Sequence, residues 1–549
     1  MLRLFCFVSL VVFSLGAAMA ADVLPAANKI DWTFTGVPGG IPNRTAIYTT
    51  LNPGASASQI QTAIDNCPNG QVVFLSAGTY TLSSGLRIAR DNMTLRGAVD
   101  AKNQPATILN FTSSAGGWGL IDISKTSYPT SPSSIRDITS GYSRGSTTIT
   151  LSSTPTGLAV GQILALDQIA DNNWVWDHGT ESGSTWGRNG NRTLTQFVRV
   201  TAISGSTVSF EPGIYSSYWN ASMSPQAYWW GSGTSQTVKL SGIENLKINR
   251  TPGGGGDHNV AVGPADSCWV KNVSSTQCKS AHVKLGWTIN CEVRDSYFTI
   301  HDDVGSATYS VWVIYSSAAR VENNIMYNVP CALGMMSTTG SAVAYNYGTV
   351  FPYSSSSWLP ETTMTHGGHT DHNLFEGNFV PSFWADRIHG NGSYNSYARN
   401  RVTGWESGKT GSTRCVNIQN EHYNLAVLGN VLGTAGYHNV YSSTSSDTTI
   451  FNVGTGAEAT LIRKGNWNTV NNAIPAGESL GSDTIAASYL YANKPAWFGN
   501  LPWPTVDPLN PQAAVVANLP AGYRYLNGTM PPQGITTLQP PTNLRIVTQ

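Results

Sequence analysis

A short pattern recurs through the middle of the chain: an apolar residue, two variable residues and an asparagine. The copies are Val321-Glu-Asn-Asn324, Val343-Ala-Tyr-Asn346, Phe375-Glu-Gly-Asn378, Tyr397-Ala-Arg-Asn400 and Val427-Leu-Gly-Asn430. Successive asparagines are 22, 32, 22 and 30 residues apart. A period of about 20 to 50 residues indicates a solenoid or a propeller. Because a propeller blade needs four strands and each copy lies in one short strand-like run, the repeat predicts a coil of short parallel strands.

The repeated asparagine also predicts what holds the coils together. An amide at one position of every coil can bond to the amides above and below it, as a ladder inside the stack. Degenerate copies come earlier, at Ile243-Glu-Asn-Leu246, Val270-Lys-Asn-Val273 and Val293-Arg-Asp-Ser296. Cys268 and Cys291 each lie two residues before the apolar residue of a copy. We therefore expect these two cysteines on adjacent coils, about one strand spacing apart.

The beginning of the repeat region has a characteristic order of elements. Ile60 and Ile64 are four residues apart in a short segment that predicts a capping helix. The runs Gln71-Val-Val-Phe-Leu-Ser-Ala-Gly-Thr-Tyr80 and Met93-Thr-Leu-Arg-Gly97 then read as the first coils. Here the sequence resembles the right-handed parallel β-helix proteins of the pectate lyase and polygalacturonase superfamily, over roughly residues 50 to 460. The resemblance implies an all-β, right-handed parallel β-helix with an N-terminal capping helix, but no particular reaction.

Three further segments complete the expected organisation. A basic start, an apolar run and Ala18-Met19-Ala20 predict a signal peptide at 1–20, and therefore secretion to the extracellular space or the periplasm. The β-helix domain is expected at 21–494, with a small antiparallel β insertion at about 141–215. The proline-rich tail at 495–549 is expected to pack along the solenoid or extend from it. Outside the cytoplasm, the six cysteines after the leader can form disulfides.

The composition excludes several classes of protein. Charged residues make up 11% of the chain, and 31 Lys+Arg balance 31 Asp+Glu, so the basic excess typical of nucleic-acid binders is absent. Aromatic residues make up 10%, which disfavours disorder. After the leader no apolar run approaches the length of a membrane span. Tryptophans in and after the insertion are candidates for stacking on sugar rings: Trp174, Trp176, Trp186, Trp219, Trp229 and Trp230.

A β-helix fills its interior with stacked side chains, so a ligand site is expected on its outer face. The densest cluster of ionisable residues runs from Glu361 to Asn391 and holds four of the ten histidines. It has three interpretations: a hydrogen-bonded stack, a metal site, or a catalytic site. His366, His369 and His372 are three residues apart, which on a strand and turn would not direct all three to one ion. Catalysis is favoured because histidine exchanges a proton near neutral pH; no cofactor is required, although carboxylates could hold calcium.

The repeat register extends the candidate set. Counting back twelve residues from the asparagine position of each copy gives Lys284, Trp312, Gly334, His366 and Ile388, and Ile388 is next to His389. Six to eight residues after that position stand Asp302, Asp303, Tyr353, Asp386, Glu406 and His438. The predicted catalytic residues are His366, His389, Arg387, Asp386, Asp303 and Lys284. The predicted substrate-binding residues are Asp302, His369, Trp312, Glu406, Arg414 and Trp384.

Two mechanisms fit these residues. In β-elimination of a uronic-acid polymer, His366 or His389 would remove the C5 proton while Arg387, Lys284 or Arg414 neutralises the carboxylate. Hydrolysis would instead use paired carboxylates. Polygalacturonases carry Asn-Thr-Asp, Asp-Asp, Gly-His-Gly and Arg-Ile-Lys in that order. This chain has Pro264-Ala-Asp266, Asp302-Asp303, His366-Gly-Gly-His369 and Arg387-Ile-His389, of which only the Asp pair matches outright.

The sequence therefore predicts a secreted enzyme that degrades a polysaccharide, and favours a lyase acting on a uronic-acid-containing glycan. A glycoside hydrolase on the same scaffold is one alternative. A non-catalytic glycan-binding or surface-adhesion β-helix is the other. The expected partner is the polysaccharide, with neither nucleic acid nor membrane.

Overall fold

The chain winds into coils that each contribute one strand to three parallel sheets. The computed structural model describes residues 21–126, 134–171, 187–231, 236–305 and 308–531. One coil consists of Arg320–Glu322 in sheet 1, Ile325–Tyr327 in sheet 2 and Leu333–Met336 in sheet 3. The chain then returns to sheet 1 at Ala342–Ala344, which pairs in parallel with Arg320–Glu322. The predicted parallel β-helix is confirmed.

The three sheets run along the whole solenoid. Sheet 1 has 12 strands: Ile47–Leu51, Val72–Leu75, Thr94–Gly97, Gly242–Glu244, Trp269–Lys271, Glu292–Arg294, Arg320–Glu322, Ala342–Ala344, Leu374–Glu376, Ser396–Ala398, Ala426–Leu428 and Ile462–Lys464. Sheet 2 has 11: Gly78–Leu82, Thr107–Phe111, Leu246–Arg250, Ser274–Cys278, Tyr297–His301, Ile325–Tyr327, Tyr347–Thr349, Phe379–Val380, Arg401–Val402, Val431–Leu432 and Trp467–Asn468. Sheet 3 has 13: Leu86–Ile88, Gly119–Ile123, Val238–Lys239, His258–Val262, Ala265–Asp266, Ala281–Ile289, Tyr309–Ser317, Leu333–Met336, Thr363–Thr365, Phe383–Ala385, Arg414–Ile418, Val440–Ser443 and Thr449–Val453.

The predicted amide ladder is confirmed and is one step longer than expected. Nδ2 of Asn324 donates to Oδ1 of Asn346 at 3.0 Å, and the same bond links each asparagine to the next coil. The further steps are Asn346 to Asn378, Asn378 to Asn400, Asn400 to Asn430 and Asn430 to Asn466, at 2.9–3.0 Å. Each Oδ1 also accepts the backbone N–H of the preceding asparagine. The ladder satisfies these buried polar groups and fixes the register of the coils.

The N-terminal end of the solenoid is closed by the helix Ala57–Asn66. Ser56 and Gln59 form a reciprocal capping box at its start, and Ile60 and Ile64 are fully buried over the first coil. The predicted capping helix is therefore confirmed. The other described helices are short: α-helices Val515–Asn518 and Pro520–Asn527, and 3-10 helices Trp32–Phe34, Ala221–Met223, Ala476–Glu478 and Ala496–Phe498.

The predicted antiparallel insertion is a closed barrel, and its strands extend beyond both predicted sequence boundaries. Its strands are Ser134–Ser140, Thr148–Leu151, Ile163–Gln168, Leu194–Ser204, Thr207–Glu211 and Gln226–Trp229. Trp219, Trp229 and Trp230 are buried, because they pack into the barrel and between it and the solenoid. The prediction that these three stack on sugars is therefore wrong. Trp174, Trp176 and Trp186 lie outside the described residues, as does the predicted signal peptide.

The cysteines behave differently from the disulfide prediction. All six described cysteines are free and buried, so the predicted disulfides are wrong. Cys268 and Cys291 do lie on adjacent coils as predicted, with the backbone N–H of Cys268 donating to Sγ of Cys291 at 3.4 Å. Both thiols instead donate to backbone carbonyls.

Among the described residues, no helix has the length and apolar character to cross a membrane.

Segments near the two ends of the described chain pack on the outer face of sheet 1. The carboxylate of Glu376 accepts the backbone N–H of Tyr489 at 2.6 Å, and that of Glu292 accepts the N–H of Val37 at 3.2 Å. Arg524 donates to the carbonyl of Asp295 at 2.7 Å. These contacts occupy outward polar groups of sheet 1, and Tyr525 also packs on Tyr327 and Tyr347 of sheet 2, with ring centroids 5.6 Å and 5.0 Å apart.

We expect Asn378→Ala to lower the free energy of unfolding by about 3 kcal/mol, because it removes the partners of several buried polar groups at once. Asn378 accepts from Asn346 and donates to Asn400 and to the carbonyl of Val343. Chemical denaturation measures the change. The control is the exposed Asn471→Ala, which should leave the midpoint unchanged. Equal midpoints for both variants would contradict a stabilising ladder.

Candidate active site

A histidine and an aspartate meet at the ends of two neighbouring strands of sheet 3. Thr363–Thr365 and Phe383–Ala385 pair in parallel, so the next residues, His366 and Asp386, are neighbours. Nδ1 of His366 lies 2.5 Å from Oδ2 of Asp386, whose side chain is 1% exposed. Oδ1 of Asp386 accepts the backbone N–H of Ile388 at 2.9 Å. Asp386 therefore orients the imidazole, and Nε2 is the nitrogen directed away from it.

His366 and His389 lie side by side in one pocket. Their ring centroids are 4.6 Å apart and their planes are nearly perpendicular. The pocket has a volume of about 230 Å³ and lies beside the loop that follows Tyr297–His301. It is lined by Gly305, Thr308, Tyr309, Pro330, Cys331, Tyr353, Pro360, Glu361, Met364, His366, Ile388 and His389. The structure thus brings together His366, His389 and Asp386 of the predicted catalytic set.

Glu361 gives this pocket a carboxyl group that is poised to exchange a proton. Burial raises the pKa of Glu361 to about 7, and the charge of Asp386 adds to the increase while His366 opposes it. Tyr309 lines the same pocket, and its burial raises the pKa of its hydroxyl well above the ordinary value. At neutral pH the pocket therefore holds a partly protonated carboxyl, a neutral phenol and two imidazoles.

A third histidine, His422, is hydrogen-bonded to the backbone carbonyl of Asp386. Nε2 of His422 is 2.9 Å from the backbone carbonyl of Asp386, and Nδ1 accepts the backbone N–H of Gly392 at 3.2 Å. These two bonds require a neutral ring with its proton on Nε2. Burial lowers the pKa of His422, which is consistent with that state. His422 is a positioning residue that the sequence did not single out.

The repeat register was partly right about the outer row of sheet 3. Lys284, Trp312 and Gly334 pair across successive strands, as predicted. In the next two coils Met364 and Trp384 occupy this row, so the placement of His366 and Ile388 in it is wrong. The reason is that the turns after Thr363–Thr365 and Phe383–Ala385 are both longer than the turn after Leu333–Met336.

Tyr309 and Glu361 lie three residues before Trp312 and Met364 of this row. Counting back three residues from the corrected row of sheet 3 therefore identifies both Tyr309 and Glu361. The offset used for the prediction was counted from the asparagines, across turns of unequal length, and missed them.

Lys284 lies in the same row but away from the pocket. Three strand spacings separate it from Met364, about 14 Å. Its Nζ is 4.4 Å from the ring centroid of Trp118 and 4.3 Å from that of Trp312. Burial lowers the pKa of Lys284 to about 8. This aromatic and cationic cluster borders the same outer face as the histidine pocket.

Three further predicted residues lie around the pocket. Arg387 follows Asp386 directly, and its guanidinium lies 2.6 Å from the carboxylate of Glu421, with 30% of its side chain exposed. Trp384 packs against Met364 below the pocket. Asp303 accepts the backbone N–H of Gly305, a residue of the pocket wall, and is exposed.

The remaining predicted residues lie elsewhere. Asp302 pairs with Arg250 at 3.3 Å, and Arg414 with Asp447 at 3.2 Å. Glu406 lines a second pocket.

His369 is buried, with its Nδ1 3.1 Å from Asp371 and its ring against Tyr218. His372 is buried as well and stacks on Tyr394, so the three histidines spaced by three diverge. Within the described ranges, no three histidine, cysteine or acidic side chains are grouped to hold a metal ion.

Comparison with known proteins finds similarity to solved structures alone. No family model matches it, and no curated protein matches it. Among solved structures it is similar to the tailspike gp49 of Pseudomonas phage LKA1, with 16% identity, 70% of this chain and 59% of that chain covered, and a TM-score of 0.47. It is also similar to the A-module of the Azotobacter vinelandii mannuronan C-5 epimerase AlgE6 (12% identity, 75% and 94% covered, TM-score 0.37). A third is the alginate lyase of Paenibacillus sp. str. FPU-7 (10% identity, 76% and 98% covered, TM-score 0.32).

The chain thus spans less than two thirds of the tailspike it matches. It is a parallel β-helix protein with a pocket beside sheet 3 that is lined by two histidines and a glutamate.

The raised pKa of Glu361 predicts how stability changes with pH. Because the folded-state pKa of about 7 exceeds the ordinary value of 4.5, the folded protein holds this proton more tightly than the unfolded chain. Its contribution to stability is complete below about pH 4.5 and is lost as the pH rises through 7. Glu361→Gln should therefore lose less stability than the parent protein between pH 4.5 and 7.5, as measured by denaturation. The exposed Glu458→Gln is the control, and identical pH profiles for Glu361→Gln and the parent would refute the raised pKa.

Proposed function

We propose that this protein cleaves a uronic-acid-containing polysaccharide by β-elimination in the pocket around His366. The observation that carries the proposal is one imidazole, oriented by a buried aspartate, in the same pocket as a carboxyl group with a pKa of about 7. His366 supplies a base and Glu361 supplies an acid, and the two can act at the same pH. Export by the predicted leader would bring the enzyme to extracellular or periplasmic glycans.

Each step of the elimination has a group in or beside this pocket. Nε2 of His366 takes the C5 proton, and the electrons of the C5–H bond form the C4=C5 double bond. The C4–O4 bond breaks, and protonated Glu361 gives its proton to the leaving O4. Tyr309 can donate a hydrogen bond to the sugar, and Arg387 at the edge can offset the carboxylate on C6. Asp386 holds His366 in the required tautomer.

The bonds of Asp386 favour elimination over hydrolysis. A hydrolase needs one carboxyl as acid and a second to act on water or on the sugar. Here Oδ2 of Asp386 lies against His366 and Oδ1 accepts the N–H of Ile388, so both oxygens are engaged. Glu361 is the single carboxylic acid among the residues that line the pocket.

A glycan-binding role without turnover is the second candidate, and the cluster around Lys284 favours it. Trp118 is 48% exposed and offers a flat apolar face next to a cation. That combination suits an acidic sugar whether or not the chain cleaves it.

The first test separates these candidates by their products. The protein is incubated with pectin, alginate, ulvan, glycosaminoglycans and neutral glucans, and ultraviolet absorbance of unsaturated uronates is recorded together with reducing ends. We expect both signals on one or more acidic glycans. Reducing ends without absorbance would mean hydrolysis, and binding without either product would mean that the protein is not an enzyme.

The second test removes the base. His366→Ala should lower kcat by at least about 100-fold, the usual contribution of a general base, with little change in melting temperature. His438→Ala changes a histidine outside the pocket and should keep turnover when rates are normalised to folded protein. An active His366→Ala variant would show that the site is wrong even though the fold is right.

The third test follows the acid. Because Glu361 must be protonated to act, kcat/KM should fall as the pH rises above about 7. Glu361→Gln cannot ionise, so it should have lower activity and no such decline. An unchanged alkaline limb in this variant would assign the limb to another group.

A further inference from the structure

A second and larger pocket lies on the outer face of sheet 2. It has a volume of about 600 Å³, and its walls include Phe351, Phe379, Arg401, Trp405, Glu406 and Lys409. It shares no lining residue with the pocket at His366. The loop from Val350 to Glu361 runs between the two, since its first residues line the larger pocket and its last residues line the smaller one.

Arg401 is the notable group in this pocket, because no described carboxylate pairs with it. Nη1 donates to the backbone carbonyls of Val402 at 2.9 Å and Val431 at 3.3 Å. Nε and Nη2 make no hydrogen bond with any described residue. Burial lowers the pKa of Arg401, and the nearby Cys415 is a buried thiol whose own pKa is raised to about 12, so it brings no negative charge at neutral pH. A partly buried guanidinium with two unused donor groups is a site for an anion.

The acid in the pocket does not neutralise Arg401. The carboxylate of Glu406 accepts the backbone N–H groups of Val350 at 2.7 Å and Phe351 at 2.8 Å. The charge of Lys409 acts on Glu406 and opposes the effect of burial on its pKa, and Nζ of Lys409 donates to the carbonyl of Trp358 at 2.8 Å. Glu406 and Lys409 offset each other, so the pocket keeps the positive charge of Arg401.

The apolar part of the pocket is rigid. The ring of Trp405 packs on Tyr437 with centroids 5.0 Å apart, and its Nε1 donates to the carbonyl of Lys409 at 2.9 Å. Phe379 packs on Tyr347 at 5.2 Å. Fixed aromatic faces beside an arginine fork suit a ring that has an apolar face and carries a carboxylate.

We propose that this pocket is an accessory site that binds a uronic-acid residue of the glycan, outside the pocket where the chain is cleaved. The choice of an acidic sugar rests on the proposed function. Arg401 binds the carboxylate, and the aromatic walls contact the sugar ring. Since one loop separates the two pockets, a long glycan bound at Arg401 is held close to His366 and Glu361.

The test measures binding without turnover. In the full chain carrying His366→Ala, binding of trigalacturonate and trimannuronate is titrated calorimetrically, with maltotriose as the neutral probe. Adding Arg401→Met should weaken binding of at least one uronate at least tenfold, and Arg401→Lys should restore part of it. The partly exposed Arg144→Met, outside both pockets, is the matched control and should bind as the parent does. Melting temperatures establish that each variant is folded.

Two results would overturn the accessory site: a folded Arg401→Met variant with unchanged affinity for both uronates, or equal binding of maltotriose. With His366 intact, Arg401→Met should keep kcat and raise KM on the polymer. If no glycan is cleaved but uronate binding still depends on Arg401, the proposed reaction fails and the accessory site stands. If cleavage occurs and Arg401 has no effect on binding, the reverse holds.

Discussion

The amide ladder from Asn324 to Asn466 is the interaction on which the rest of the structure depends. Each asparagine accepts two hydrogen bonds from one coil and donates to the next, so a shift of one residue would leave buried amides without partners. With the coils locked in register, residues distant in sequence become neighbours at one strand spacing. His366 meets Asp386 for this reason, although 20 residues separate them.

The low charge of the chain affects the pKa values in the pocket at His366 and Glu361. Segments near the two ends of the described chain pack on outward charges of sheet 1, and apolar stacks fill the interior. In the pocket beside sheet 3, few opposite charges counteract the effect of burial on pKa values. Burial and the nearby charge of Asp386 therefore raise the pKa of Glu361 to about 7. On sheet 2, Arg401 forms no ion pair with a carboxylate of the described residues.

The sequence predicted what repeats and failed where loop length or three-dimensional packing decides. The ladder, the capping helix and the Cys268–Cys291 neighbours follow from spacing alone. The row of sheet 3 was wrong beyond Gly334, because a longer turn shifts His366 out of it. Disulfides were inferred from compartment, but stacked thiols find carbonyl partners instead. The raised pKa of Glu361 and the bonds of His422 to the backbone around Asp386 depend on burial and on contacts between coils, which a single sequence does not reveal.

The central claim is that the pocket at His366 and Glu361 eliminates rather than hydrolyses, and the masses of the products test it most directly. Mass spectrometry of fragments from a defined oligouronate, with and without His366, distinguishes the two reactions. We predict that one fragment of each pair is lighter than the hydrolytic fragment by one water, because it carries the C4=C5 double bond, and that neither fragment forms with His366→Ala. Fragment pairs whose masses add up to the substrate plus one water would contradict the account.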